Sequence, residues 1–192
     1  YPLDRPMLQV NGVPYEDVAL ETVRGWTGYV SQEHLLFSKT VRDNILFGAG
    51  TATEAELQEA IRLASFTDQR LKTMLDQGLE TLVGERGVTL SGGQKQRLSI
   101  ARAMLKKPKL LLLDDSLSAV DAKTESHIIE AIRTNREQAT TLIVAHRLSA
   151  VAHADEILVL QDGQVTERGT HEQLMDHKGW YAEQFERQSE ET

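Results

Sequence analysis

One segment limits the possible folds more than any other: Leu110-Leu111-Leu112-Leu113-Asp114-Asp115. Four consecutive leucines are too few for a membrane span, which needs about 20 apolar residues. They suit a strand over Lys109–Asp114, and an unbroken apolar run predicts burial on both faces, as in a parallel sheet. The two aspartates then fall at the C-terminal edge of that sheet, where ligands of α/β proteins bind. A carboxylate there can hold Mg²⁺ directly or through water. The competing reading is that Asp114 or Asp115 caps the next helix, as acidic residues often do.

The flanking sequence supplies the alternation that α/β architecture requires. Short strands are predicted over Met7–Val10, turned by Asn11-Gly12, and over Gly28–Ser31, opening at Gln32. Thr53–Ser65 reads as a helix, with Thr53 and Glu56 as a capping box and Leu57, Ile61 and Ala64 at helical spacing. Thr67–Leu75 is a second helix candidate, and Gln77–Thr89 reads as a glycine-rich loop. A stronger helix runs over Gly92–Lys106, with Ser91 as N-cap and Pro108 as stop. Ala122–Arg133 is a helix and Thr140–Ala145 a buried strand. Ile157–Gln161 and Gln164–Arg168 flank the hairpin signal Asp162-Gly163. Thr170 with Gln173 caps a helix, and a charged helical tail follows.

Composition narrows the function. A net charge of −8 disfavours a broad nucleic-acid surface, which needs clustered cations. With no cysteine there is no disulfide and no thiolate metal site, which suits a reducing compartment. No apolar run approaches a membrane span, so membrane attachment would come from another segment or partner. At 192 residues the chain fits one domain, and its opening at Tyr1 reads as the middle of a domain.

The run Leu90-Ser91-Gly92-Gly93-Gln94, followed by Lys95, Gln96 and Arg97, carries the most specific chemistry. Two glycines at a helix start let backbone N–H groups approach an anion, and the helix dipole adds partial positive charge there. Taken alone, Ser-Gly-Gly is a weak signal and more often a plain helix cap than a phosphate site. His146, just past a strand, is by itself more often structural than catalytic, and a lone Gln32 says little.

Together, Gln32, Leu90–Gln94, the Asp114 strand, Ser118-Ala119-Val120-Asp121 and His146 resemble the nucleotide-binding domain of ABC transporters, in order and spacing over nearly the whole chain. The resemblance implies a P-loop NTPase-like α/β fold: a parallel sheet core with a helical signature subdomain inserted at about residues 40–106. It implies ATP as substrate and Mg²⁺ as its companion ion. Gln32 resembles the Q-loop glutamine, which senses Mg²⁺ and the attacking water. Leu90, Ser91, Gly92, Gly93 and Gln94 resemble the signature motif, which closes on ATP held by the opposite domain of a dimer. Asp114 resembles the metal-binding Walker B aspartate, Asp121 lies in the D-loop, and His146 resembles the switch histidine that contacts the γ-phosphate. The run Thr81-Leu82-Val83-Gly84-Glu85-Arg86-Gly87 resembles the X-loop of exporters, which touches the coupling helices of a membrane domain. The implied setting is the cytoplasmic face of the cell membrane.

The chain departs from the family pattern twice. It contains no G-x-x-x-x-G-K-[ST] and no Gly-Lys pair. That loop supplies the backbone donors and the Lys that neutralise β- and γ-phosphates. The expectation is a domain incomplete at its N-terminus, inactive alone, with a sheet edge left open. The second departure is Asp115, where the family usually has the Glu that polarises the attacking water. Asp is shorter by one bond, ~1.5 Å. A displacement of ~1 Å can cost about 100-fold in rate, so Asp115 predicts a slow catalytic site. An intact signature beside a weak site resembles one half of heterodimeric bacterial multidrug exporters; a homodimer tolerant of Asp is the alternative. Two further readings compete. One is a regulatory subunit that holds ATP. The other is a soluble ABC-type ATPase of DNA repair or translation, disfavoured by the acidic balance and by residues 81–87.

Overall fold

The computed structural model describes residues 8–47, 49–66, 75–85, 87–136 and 139–190. Its centre is a three-stranded parallel sheet in the order β3 (Thr27–Val30), β6 (Leu110–Asp114), β7 (Thr140–Val144). The register sets Tyr29 beside Leu112 and Leu142, and Val30 beside Leu113 and Ile143. β6 is therefore the middle strand, and both of its neighbours run parallel to it, as the leucine run predicted.

Burial differs from expectation. Along β6 the residues alternate between buried and half-buried, and along β7 between exposed and half-buried. The reason is one-sided packing. Val30, Leu111 and Leu113 join the main core, whereas Tyr29, Leu142 and Val144 on the opposite face are 57%, 55% and 53% exposed. The strand over Thr140–Val144 is thus not buried. Among the described residues β7 also pairs only with β6, so its other edge is open.

Between β3 and β6 the chain makes a helical region. Helix α2 (Val41–Leu46) is capped by Thr40, whose hydroxyl accepts from the Asp43 N–H. Helix α3 (Glu54–Leu63) has the predicted capping box of Thr53 and Glu56. Both pack on α4 (Gly92–Leu105), which starts at the Ser91 cap as predicted. Val41, Ile45, Leu57, Ile61, Leu98 and Ile100 form the heart of this core. Helix α2 and the preceding helix α1 (Leu20–Trp26) carry no clear periodic signal in the sequence. Residues 77–89 are not merely loop: β5 (Leu82–Val83) pairs antiparallel with β4 (Lys39–Thr40), and Val83 is fully buried. The predicted helix over Thr67–Leu75 lies outside the described residues except for Leu75, as does Met7 of the first strand. That strand is β1 (Gln9–Val10), paired with β2 (Val13–Pro14) around Asn11-Gly12.

Helix α5 (Ala122–Asn135) joins β6 to β7 and contributes Ile128 and Ile132 to the core. The hairpin of β8 (Ile157–Gln161) and β9 (Gln164–Gly169) turns at Asp162-Gly163, both with positive φ as a type I′ turn requires. Helices α6 (His171–His177) and α7 (Trp180–Glu190) follow. Ile157, Val159, Leu174 and Tyr181 make a second, smaller core with Leu148.

Candidate nucleotide site

The C-terminal ends of β3, β6 and β7 lie on one rim of the sheet and carry Gln32, Asp114, Asp115 and His146 just beyond them. Tyr29 donates its hydroxyl to Asp114 Oδ2 at 3.1 Å, which raises the tyrosine pKa. Gln32 Nε2 donates to Asp115 Oδ2 at 3.3 Å. Asp115 has left-handed φ of 43°, and its N–H donates to the Val144 carbonyl at 2.9 Å, so the backbone turns out of the sheet there. Asp115 and His146 line one pocket together with Val144, Ser118 and Arg147. No local sequence pattern points to Tyr29, whose reach across to Asp114 depends on strand register.

Neither Asp114 nor Asp115 caps a helix. The cap of α5 is Asp121: one carboxylate oxygen accepts from the Thr124 N–H at 3.0 Å and the other from the Thr124 hydroxyl at 2.7 Å. The first two aspartates are therefore not consumed by the cap, whereas Asp121 positions the loop before it.

At the start of α4 the Ser91 hydroxyl accepts from the Gln94 N–H, and Gln94 Oε1 accepts from the Ser91 N–H at 2.7 Å. The helix-cap reading is thus met, and Ser91 and Gly92 remain exposed at the positive end of a 14-residue helix. Leu90 is 3% exposed; its side chain anchors the motif in the core. Gly93 has a steric reason of its own: a Cβ there would sit 2.9 Å from the Ala119 carbonyl oxygen. The signature turn thus abuts the Ser118–Asp121 loop. His34 is the other junction. Burial lowers its pKa, and it feels the charges of both Asp115 and Lys95, which places the first turn of α4 near the acidic rim.

Arg147 fastens the loop after β7 to the loop before α5. It donates to the Val120 carbonyl at 2.9 Å, the Ser118 carbonyl at 3.2 Å and the Glu125 carboxylate at 3.0 Å. Glu125 is almost fully buried and also accepts from the Ser149 hydroxyl. A second network, around fully buried Asn44, ties the segment after Gln32 to α4. Asn44 bonds both the N–H and the carbonyl of Phe37, and Arg102 donates to the Asn44 side chain and backbone and to the Leu35 carbonyl.

No group of three or more His, Cys, Asp or Glu able to cage a metal occurs among the described residues. One or two carboxylates and an amide oxygen suit Mg²⁺, which usually keeps water and substrate phosphate oxygens rather than an all-protein shell. Asp114 at the end of β6 and Gln32, which bonds the adjacent Asp115, are groups of that donor type.

Comparison with known proteins agrees with this geometry. The ABC transporter family matches residues 4–118. The probable multidrug resistance ABC transporter ATP-binding/permease protein YheI of Bacillus subtilis is 57% identical over 188 residues, covering 98% of this chain and 32% of that protein. A putative multidrug export ATP-binding/permease protein of Staphylococcus aureus is 44% identical over 181 residues, covering 94% of this chain and 31% of its own. A bacterial Atm1-family ABC exporter solved with ATP bound superposes with a TM-score of 0.87 at 40% identity, covering 94% of this chain and 32% of the exporter. This chain spans about a third of the length of those relatives. With Gln32, Asp114, Asp115 and His146 on one rim of a P-loop NTPase-like parallel sheet, the chain belongs to the ABC transporter family.

Proposed function

We propose that this chain belongs to the ATP-driven engine of a multidrug-type exporter, at the cytoplasmic face of a membrane, and forms the weakly catalytic half of a heterodimer. Its relatives carry the words multidrug and permease in their names, which supports an exporter with membrane-spanning partners. Residues 40–106 act as the signature-bearing helical subdomain. The run at 81–87, whose residues Leu82 and Val83 are held by the β4–β5 ladder and whose Thr81 carbonyl accepts from the Val41 N–H, serves the coupling helices of the membrane domain.

The observation that carries the proposal is Asp115. It stands at the end of β6, bonded by Gln32, where the attacking water would be polarised. A general base must reach about 2.6–3.2 Å from its proton donor, and Asp falls short of the position that Glu would occupy by ~1.5 Å. Asp114 and Gln32 would hold Mg²⁺, which would neutralise phosphate charge when bound. His146 meets the γ-phosphate from the β7 side. Ser91 and the N–H groups of Gly92 and Gly93 serve the nucleotide of the partner domain, Gln94 and Leu90 fix that turn, and Asp121 orients the loop between the two sites. In this arrangement the chain completes a competent site for its partner and holds ATP at a slow one of its own.

Asp115→Glu in the assembled full-length transporter tests this. Hydrolysis at this site is expected to rise at least about tenfold, on the scale by which ~1 Å displacements alter rates. An unchanged rate rejects the weak-site reading and favours a homodimer tolerant of Asp.

A further inference from the structure

The backbone on either side of Arg147 is bracketed by one distant side chain. The Gln188 amide donates through Nε2 to the His146 carbonyl at 3.0 Å and accepts at Oε1 from the Leu148 N–H at 2.9 Å. A side-chain amide that pairs with two backbone groups two residues apart reproduces one step of a β-ladder. The partner comes from the C-terminal helix α7, some 40 residues further along the chain.

Helix α7 is well anchored for such a task. The Glu167 carboxylate, on β9, accepts from the N–H groups of Trp180 and Tyr181 and so caps the helix start. Tyr181 is fully buried, with its hydroxyl 2.9 Å from His171 Nδ1. Leu148 lies in the same small core as Tyr181. From the other side, Arg147 binds the carbonyls of Ser118 and Val120 and the buried Glu125. His146 is itself exposed, and no side-chain bond of its own is seen among the described residues, so its placement depends on the backbone that carries it.

We infer that Gln188 is a positioning residue for His146, through which the C-terminal helix sets where the imidazole meets nucleotide. This rests on the proposed ATPase reading for its kinetic consequence, but not for the contact itself. Two carboxamide bonds fix the His146 carbonyl and the Leu148 N–H, the groups that flank Arg147 directly after His146; losing them lets the loop shift by up to about 1 Å, the scale that alters rates. Such a shift affects chemistry more than nucleotide capture, because uniform binding contacts elsewhere on the nucleotide are untouched.

The test uses the assembled full-length transporter carrying Asp115→Glu, so that this site turns over, with Gln188 retained or replaced by Leu or Glu. Gln188→Leu should lower kcat about tenfold, leave KM for MgATP within about twofold, and raise amide exchange in the peptide spanning His146–Ala150 by mass spectrometry. Gln188→Glu keeps an acceptor for Leu148 but sets a carboxylate against the His146 carbonyl. It should preserve most of the exchange protection and still lower kcat. A kcat unchanged in both variants overturns the inference, as does exchange unchanged by Gln188→Leu. If the Leu variant fails to assemble, the kcat of the Glu variant decides alone. Absence of MgATP hydrolysis when Gln188 is retained would instead defeat the ATPase reading, and the exchange comparison would still judge the contact.

Discussion

Arg147 and Glu125 illustrate how much of this site is held by residues that never need to touch nucleotide. Glu125 is 3% exposed, and its charge is answered by Arg147, which also binds two carbonyls of the Ser118–Asp121 loop. Removing one partner of a buried pair leaves an uncompensated charge and costs about 3–5 kcal/mol, more than the pair itself contributes. Arg147→Ala should therefore destabilise the domain by about 3 kcal/mol, the lower end because Arg147 is half-exposed. Adding Glu125→Gln should recover part of the loss, since an amide needs no counter-ion. Denaturant unfolding of the single and double variants measures this, and equal losses in the two would mean the ion pair is not the cause. At this scale the sequence was informative about Asp114, Asp115 and His146 because motif spacing names them. It was silent on Tyr29, Arg147 and Gln188, whose partners lie 85, 27 and 42 residues away.

Among elements, those with strong local chemistry were legible and those without were not. Helix α3 began where its capping box said it would. Glu56 is held at about 2, first by Lys107, then by the backbone and hydroxyl of Thr53. Thr53→Ala removes the acceptor for the Glu56 N–H and should cost about 1 kcal/mol in thermal or denaturant unfolding. A loss under about 0.3 kcal/mol would show that packing on α4 alone fixes the start of α3. Helix α4 and the β8–β9 turn were equally clear, from Ser91 with Gln94 and from Asp162-Gly163. Helix α2 was not, because its six residues are too short for a period. It is fixed by tertiary partners, chiefly the buried Asn44 that Arg102 and the Phe37 backbone satisfy. The two-residue strands β4 and β5 likewise depend on tertiary pairing, with each other and, for β5, with Val88.

For the molecule as a whole, the exposed sheet face and the β7 edge, unpaired among the described residues, govern behaviour. Tyr29, Leu142 and Val144 on the sheet and Leu158, Leu160 and Val165 on the hairpin are all exposed. Unpaired parallel strand edges beside apolar surface promote association. The 192-residue chain by itself should therefore self-associate, and, having no Gly-Lys phosphate loop, should fail to bind MgATP at micromolar concentration. Sedimentation velocity and calorimetry read the two expectations; a monodisperse monomer that unfolds cooperatively, or micromolar heat on adding MgATP, would refute the respective one. The sequence alone determined the α/β alternation, the family and the identity of the rim residues, because these rest on local periodicity, caps and motif spacing. It overestimated the burial of β6 and β7, since an apolar run reports what a strand tolerates and not what covers it. Only the tertiary structure decided which sheet face is packed, that Asp121 rather than Asp114 or Asp115 caps α5, and which distant side chains hold His146. Those outcomes depend on contacts between residues far apart in the chain, and a local pattern carries no information about them.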